Sequence, residues 1–340
     1  MITDELLQLA GELAATAGLA PPVSTERLAG GRNNRVFETR HRDSSRHIVK
    51  LYHHDPSDDR DRLGAEWSFL EHVWGIGVRN VPQPLAADQH RHAALYSRIE
   101  GETPVGADAL LVDVAASFVE AINQEAVPDH IAPASEACFS LAQHIASIDR
   151  RIARLATIDP DGPRGADAVE IASQRVAPSW LRIRSMIVGQ TQNENLEQPV
   201  GCQILSPSDF GFHNCLVGAD GPHFIDFEYA GRDDPAKLVC DFFCQPAVPV
   251  PLEFYVVFRD RVIAAASGDE TDVARCDLLL NAYRIKWLCI MMNEFQLDGS
   301  ARRALAEGGD ESARANRQID LITAALPIIE NIEQDPHGLP

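Results

Sequence analysis

Between residues 204 and 228 the chain reads Ile-Leu-Ser-Pro-Ser-Asp209-Phe-Gly-Phe-His213-Asn214-Cys-Leu-Val-Gly-Ala-Asp-Gly-Pro-His-Phe-Ile-Asp226-Phe-Glu228. Asp209 and Asn214 lie five residues apart on a loop. Asn214 leads into an apolar run, Cys215-Leu216-Val217, and Gly218-Ala219-Asp220-Gly221 turns the chain. The return run His223-Phe224-Ile225 delivers Asp226. A hairpin of this length brings Asn214 and Asp226 together at its open end. One amide oxygen and one carboxylate make a hard-oxygen site of the kind that holds Mg²⁺ with waters and phosphates. A carboxylate left unpaired at the end of an apolar strand is costly, and a metal ion accounts for it. Asp209 is then left to face an incoming hydroxyl. His213, inside the same loop, suits either substrate contact or loop packing.

These residues need a frame. Leu6, Leu9, Ala10, Leu13 and Ala17 fall on one face of a first helix that Thr3 caps and Pro21-Pro22 ends. Short runs of strand character follow at 24–29, 35–40 and 47–52, the first two joined by Gly30-Gly31-Arg32-Asn33-Asn34. A helix over about 57–74 comes next, its inner face carrying Leu63, Trp67, Leu70 and Trp74. Val81-Pro82 and Pro84 open an edge strand, and 93–99 reads as another. The first hundred residues thus form a small antiparallel sheet with one helix inserted after the third strand. Glu100-Gly101-Glu102-Thr103-Pro104 has linker composition. Beyond it the pattern turns helical at about 107–124, 134–156 and 166–188, and then a polar loop covers 190–200. The β-rich patch at 202–228 precedes further helices at 235–245, 251–267, 271–296 and 311–333. The expected class is α+β, with a β-rich N-lobe over residues 1–100 and a mainly helical C-lobe over 101–340 that carries the hairpin.

The Asp209–Asn214 spacing followed by Ile225-Asp226-Phe227-Glu228-Tyr229 resembles the aminoglycoside phosphotransferase and choline kinase superfamily, which has the protein-kinase-like fold. Upstream residues agree in order and spacing. Lys50, in His-Ile-Val-Lys-Leu-Tyr, matches the strand lysine that holds nucleotide phosphates, and Glu66, sixteen residues on, matches the glutamate that pairs with it. Gly30, Gly31 and Asn33 resemble the loop over the phosphates. Tyr96-Ser97-Arg98-Ile99-Glu100-Gly101 resembles the hinge, so that Ser97 and Ile99 are expected to meet the base. Asp234-Pro235 with Asp241 resembles the segment after the metal aspartate, where the later Asp supports the catalytic loop.

The resemblance implies a kinase that uses ATP, with GTP as the alternative, and Mg²⁺ held by Asn214 and Asp226. Asp209 would be the catalytic base, a role typically worth about 10²–10⁴-fold. Lys50 would neutralise phosphate oxygens, and Glu228 would reach the metal through water. The acceptor would be the hydroxyl of a small molecule, an amino alcohol or aminosugar first. In one respect the chain departs from the pattern: Pro207 stands two residues before Asp209, where the superfamily has His. That leaves a second reading, a catalytically impaired nucleotide-binding pseudokinase with a regulatory role.

Plainer readings sit beside each assignment. Lys50 between apolar neighbours also fits a snorkelling lysine. Glu66 also fits a solvated helix position, Gly30-Gly31 a hairpin turn, and Asp241 a structural carboxylate. Trp180, Tyr283, Trp287 and Phe295 suit a core, and Trp287 alternatively a wall of the acceptor pocket.

The 340 residues carry 30 Lys and Arg against 50 Asp and Glu, a net charge of −20, which disfavours nucleic acid and anionic membranes. It suits a cationic substrate, or simply solubility. Seven scattered cysteines without a CxxC pair fit reduced thiols of a cytoplasmic protein. No basic, apolar leader and no apolar run of membrane-spanning length is present. Asp55, Ser57, Asp59 and Glu66 follow a calcium-loop spacing, but Arg60 stands where the turn needs Gly. His53-His54 and His90-x-His92 lack partners at zinc spacing, and neither a P-loop nor a GxSxG elbow occurs.

Overall fold

The computed structural model describes residues 3–28, 34–54, 58, 60–191, 195–296 and 310–330. Gly30, Gly31 and Asn33 lie outside the described residues, as do Asp55, Ser57 and Asp59. By contact clustering the chain forms two compact units. The first comprises Met1–Pro104, Val127–Ser135 and Pro207–Gly231; the second comprises Val105–Ala126, Glu136–Ser206 and Arg232–Pro340.

In the first unit, α1 (Thr3–Thr16) precedes β1 (Pro22–Arg27), β2 (Arg35–His41) and β3 (Arg46–Leu51). Then come α2 (Arg62–Gly75), β4 (Pro84–Asp88) and β5 (Ala93–Ser97). The strands make one antiparallel sheet in the order β1-β2-β3-β5-β4. Alternation sorts side chains onto two faces. Val49, Leu51, Ala93 and Leu95 pack on one face against Leu6, Leu9, Ala10 and Leu13 of α1. Lys50, paired with Val36 on β2 and Ala94 on β5, points to the other, as do Ile48 and Tyr96. A one-residue slip would put Lys50 into the apolar layer, so burial of the first face holds the register that serves the second.

The helix expected from about residue 57 starts at Arg62, because the Asp61 carboxylate caps it by accepting from the Gly64 N–H at 2.9 Å. Its inner face is Leu63, Glu66, Phe69, Leu70 and Val73. Trp67 and Trp74 are only half-buried, contrary to expectation. The Trp74 indole N–H needs an acceptor and donates to the Pro82 carbonyl at 2.9 Å. The 3- and 4-residue spacing of Leu63, Glu66, Leu70 and Val73 carries the Glu66 carboxylate inward with its apolar neighbours.

The hairpin is β7 (Cys215–Gly218) and β8 (Gly221–Phe224), preceded by a single helical turn, Phe212–Asn214. Glu102 pairs with Val217 at its tip, through Val217 N–H to Glu102 C=O at 2.9 Å and the reverse bond at 3.2 Å.

The second unit holds α3 (Ala109–Ile122), α4 (Leu141–Arg154), α5 (Gly165–Ile171), α6 (Ala177–Gln190) and the short β6 (Ile204–Ser206). After β9 (Gly231–Asp233), at the boundary, come α7 (Pro235–Cys244), α8 (Tyr255–Ala265), α9 (Glu270–Met292) and α10 (Glu311–Glu330). The helix expected over 166–188 is present as one helical run from Gly165 to Gln190, α5 and α6 lying on either side of a π-helical turn. Pro178 lacks the N–H that would bond the Gln174 carbonyl, and the turn Ala172–Val176 ahead of it opens into a π-helix. The fold class is the expected one, α+β and protein-kinase-like, with a small antiparallel N-lobe sheet and a mostly helical C-lobe.

Candidate active site

Lys50 is 6 % exposed, and its ammonium donates to Glu66 at 2.6 Å and to Asp226 at 2.5 Å. Three distant segments therefore meet on one nitrogen: β3, α2 and the end of the hairpin. The Tyr52 hydroxyl donates to the same Glu66 oxygen at 2.7 Å and bonds the Tyr96 hydroxyl at 2.6 Å. The other Glu66 oxygen accepts from the Phe227 N–H at 3.3 Å. Phe227 in turn stacks on Phe69, ring centres 4.5 Å apart. Burial disfavours the Lys50 charge, yet Asp226, Glu66 and Glu228 outweigh it and hold the ammonium well above its usual range.

Asp226 adopts a left-handed backbone, φ 68°, which Asp tolerates better than most residues. Its side chain is 40 % exposed, so one side of the carboxylate is open. Just before it, the Ile225 N–H donates to the Asn214 carbonyl at 2.9 Å and extends the hairpin ladder by one rung. The Asn214 side chain donates its NH₂ to the Asp209 carbonyl at 2.9 Å, which leaves the amide oxygen as its remaining polar end. Asp209 lies on the same turn, with the His213 Nε2 3.2 Å from its carboxylate.

Glu228 is buried and accepts from the Asn34 side chain at 2.5 Å. Burial and the nearby Asp226 carboxylate push it above the ordinary glutamate range. The Arg62 guanidinium stands 3.6 Å from Glu228 but is already engaged by Asp58 at 2.7 Å and by the His53 carbonyl at 3.2 Å. Glu66 and Asp226 thus share one ammonium, and Glu228 lies within ion-pair distance of the Arg62 Nε. Among the described residues no cluster of three or more His, Cys, Asp or Glu makes a closed metal cage. Asp226 and the Asn214 amide oxygen are the hard-oxygen groups of the hairpin that could hold a metal ion.

The hinge residues are more occupied than the sequence suggested. The Ser97 N–H donates to the Gln83 carbonyl at 3.0 Å, and the Ser97 hydroxyl accepts from the Gln83 N–H at 2.8 Å. The Ile99 carbonyl accepts from the Arg98 side chain at 3.0 Å. Asp241 and Trp287 meet each other within the second unit. Asp241 accepts from the Trp287 indole at 2.8 Å and twice from Lys286 at 2.8 Å. Sequence reasoning passed over Asn34, Tyr52 and Arg62; Asn34 meets Glu228 194 residues on, whereas Arg62 is held by Asp58 four residues away. It also passed over a buried cluster in the second unit. There Asp234 caps α7 and accepts from His144 at 3.0 Å and from Arg275 at 2.7 and 2.9 Å.

A model of the phosphotransferase enzyme family matches residues 24–194, half of the chain. The chain belongs to that family. The matched stretch contains Lys50, Glu66 and the hinge; Asp209, Asn214 and Asp226 lie beyond it. No curated protein sequence matches this phosphotransferase. Among solved structures it resembles spectinomycin phosphotransferase in complex with ADP and spectinomycin, with a TM-score of 0.61, 12 % identity and coverage of 94 % of this chain and 97 % of that one. It also resembles choline kinase from Cryptosporidium parvum Iowa II, with a TM-score of 0.56, 13 % identity and coverage of 98 % and 97 %. Amicoumacin kinase in complex with AMP-PNP, Ca²⁺ and Ami matches at a TM-score of 0.56, with 16 % identity and coverage of 100 % and 98 %. At these identities the likeness is one of fold. Membership in the protein-kinase-like superfamily of aminoglycoside and choline kinases supports phosphoryl transfer to a small-molecule hydroxyl as the activity of this phosphotransferase.

Proposed function

We propose that the protein transfers the γ-phosphoryl group of ATP, with Mg²⁺, to a hydroxyl of an amino alcohol or aminosugar. The observation that carries this reading is Lys50, buried and bonded at once to Glu66 and Asp226. Phosphoryl transfer passes through a loose transition state, so catalysis is mostly positioning and charge neutralisation. Lys50 binds phosphate oxygens, and Glu66, held by Tyr52 and the Phe227 N–H, keeps the ammonium aimed. Asn214 and Asp226 hold the metal. When bound, Mg²⁺ neutralises charge on the β- and γ-phosphate oxygens. Asp209 orients the acceptor hydroxyl and takes its proton as the new phosphate ester forms and ADP leaves. The net charge of −20 favours a cationic acceptor. The solved relatives named for choline and spectinomycin point the same way.

ADP release from Mg-ATP tests the reading, measured over choline, ethanolamine, spectinomycin, other aminosugars and water alone. The wild type is expected to release ADP with at least one acceptor, and Asp209→Ala to lose at least ~10²-fold of that rate. Equal ADP release by wild type and Asp209→Ala with every acceptor would remove the kinase reading and favour a nucleotide-binding role without transfer.

A further inference from the structure

Asp209 is gripped by two consecutive residues of its own loop. The Asn214 side chain holds its backbone carbonyl at 2.9 Å, and the His213 Nε2 lies 3.2 Å from its carboxylate. The grip closes across the single helical turn Phe212–Asn214, which sets His213 four residues from Asp209. Immediately before Asp209, Ser208 takes a left-handed backbone, φ 67°, and its carbonyl accepts from the Phe210 N–H at 2.8 Å. Pro207 has no side-chain donor to offer.

The imidazole tautomer follows from its surroundings. An ionised carboxylate only accepts, so the nitrogen facing Asp209 must donate. The other ring nitrogen, Nδ1, is buried with no hydrogen-bond partner among the described residues. A hydrogen placed there would be an orphaned buried donor, whereas a bare lone pair is the cheaper state. Both arguments put the hydrogen on Nε2, aimed at the carboxylate.

We propose that His213 is a positioning residue for the phosphotransfer reaction: its Nε2–H fixes the rotation of the Asp209 carboxylate, so that this group meets the acceptor hydroxyl in one orientation. The inference rests on the reading of Asp209 given above. A carboxylate has roughly four acceptor sites, so one hydrogen bond from His213 leaves capacity for the incoming hydroxyl. A freely rotating carboxylate would spend much of its time misaligned, and a misplacement of about 1 Å can cost ~10²-fold in rate. His213 itself exchanges no proton in this scheme.

The variants that separate positioning from bulk are His213→Gln, whose side-chain nitrogen replaces Nε2, and His213→Leu, which fills the space without a donor. ADP release from Mg-ATP with the best acceptor of the panel above is measured for both, alone and combined with Asp209→Ala, beside thermal melts. His213→Leu is expected to melt near the wild type and lose about 10–10²-fold in kcat with the KM for Mg-ATP nearly unchanged. His213→Gln is expected to recover most of that loss. In the Asp209→Ala background His213→Leu should cost nothing further, because there is no carboxylate left to orient. A wild-type kcat in His213→Leu, a Gln variant no better than Leu, or an undiminished loss on top of Asp209→Ala overturns the proposal. Should Asp209→Ala itself match the wild type, the failure belongs to the underlying reading of Asp209.

Discussion

Lys50 stands between two carboxylates with 6 % of its surface exposed, and removing its charge should be felt twice. Lys50→Met takes away the group proposed to meet phosphate and strands Glu66, itself 3 % exposed, with the Tyr52 hydroxyl as its side-chain donor among the described residues. Breaking a buried pair from one side typically costs about 3–5 kcal/mol. Denaturant unfolding should therefore show Lys50→Met destabilised by about 3 kcal/mol, and Lys50→Met/Glu66→Gln should recover part of that without recovering turnover. An equally stable single variant would mean that the ion pair carries no structural weight.

A second residue-scale expectation concerns His144, fully buried in the second unit between Asp234 at 3.0 Å and the Tyr283 hydroxyl at 2.7 Å. Burial pulls its imidazolium down, but the Cys138 and Asp234 groups beside it prevail and raise it to about 9. A folded-state value above the unfolded one means that the protonated form stabilises the fold. The contribution is whole below pH ~6.5, the ordinary histidine value, and is lost as pH rises through about 9. Melting curves between these limits should thus fall more steeply for the wild type than for His144→Gln. Parallel curves would show that His144 folds in the neutral form.

At the scale of elements, the hairpin reaches its place only because two glycines let chains touch. A Cβ on Gly218 would lie 2.4 Å from the Glu100 carbonyl oxygen, and one on Gly101 2.7 Å from the Val217 carbonyl carbon. Both obstacles are backbone and cannot rotate aside. Gly218→Ala should cost about 1–3 kcal/mol in thermal or denaturant unfolding, as overpacking does. Gly189→Ala, near the end of α6 with nothing within 4 Å of the added carbon, is the control and should not destabilise. Equal behaviour of the two would contradict the close crossing.

The elements also show what was legible in the sequence. Strands β2 and β3 were readable because β-branched residues mark them directly, and β5 from its short apolar run Ala93-Ala94-Leu95-Tyr96. The β7–β8 hairpin was readable from its Gly-x-x-Gly turn, Gly218 to Gly221. The start of α2 was missed by several residues, since Asp61 is one of several acidic residues that could cap. The helix over 166–188 was readable as one long pattern, but the π-helical turn ahead of Pro178 was not. Lys50, Glu66 and Asp226 were legible as a set, and the structure brings them into direct contact. Asn34 with Glu228, His144 with Asp234, and Asp234 with Arg275 join residues 194, 90 and 41 positions apart, so no local pattern announces them.

Taken as a whole, the molecule has a net charge of −20, and among its described residues no helix is long and apolar enough to cross a membrane. Within its first unit, a sheet, a helix and a hairpin from distant parts of the chain converge on one lysine. The account stands or falls on whether that convergence is a Mg²⁺-nucleotide site. The most direct measurement is calorimetric titration of the 340-residue protein with AMP-PNP, with and without Mg²⁺, for the wild type and Asp226→Asn. Asn tolerates the left-handed backbone at this position, so the variant removes charge without asking the chain to move. One site should be seen for the wild type, with affinity that rises when Mg²⁺ is present, and in Asp226→Asn that dependence on Mg²⁺ should disappear. Binding of the analogue that ignores Mg²⁺ in the wild type, or an Asp226→Asn titration that matches the wild type, would contradict the account.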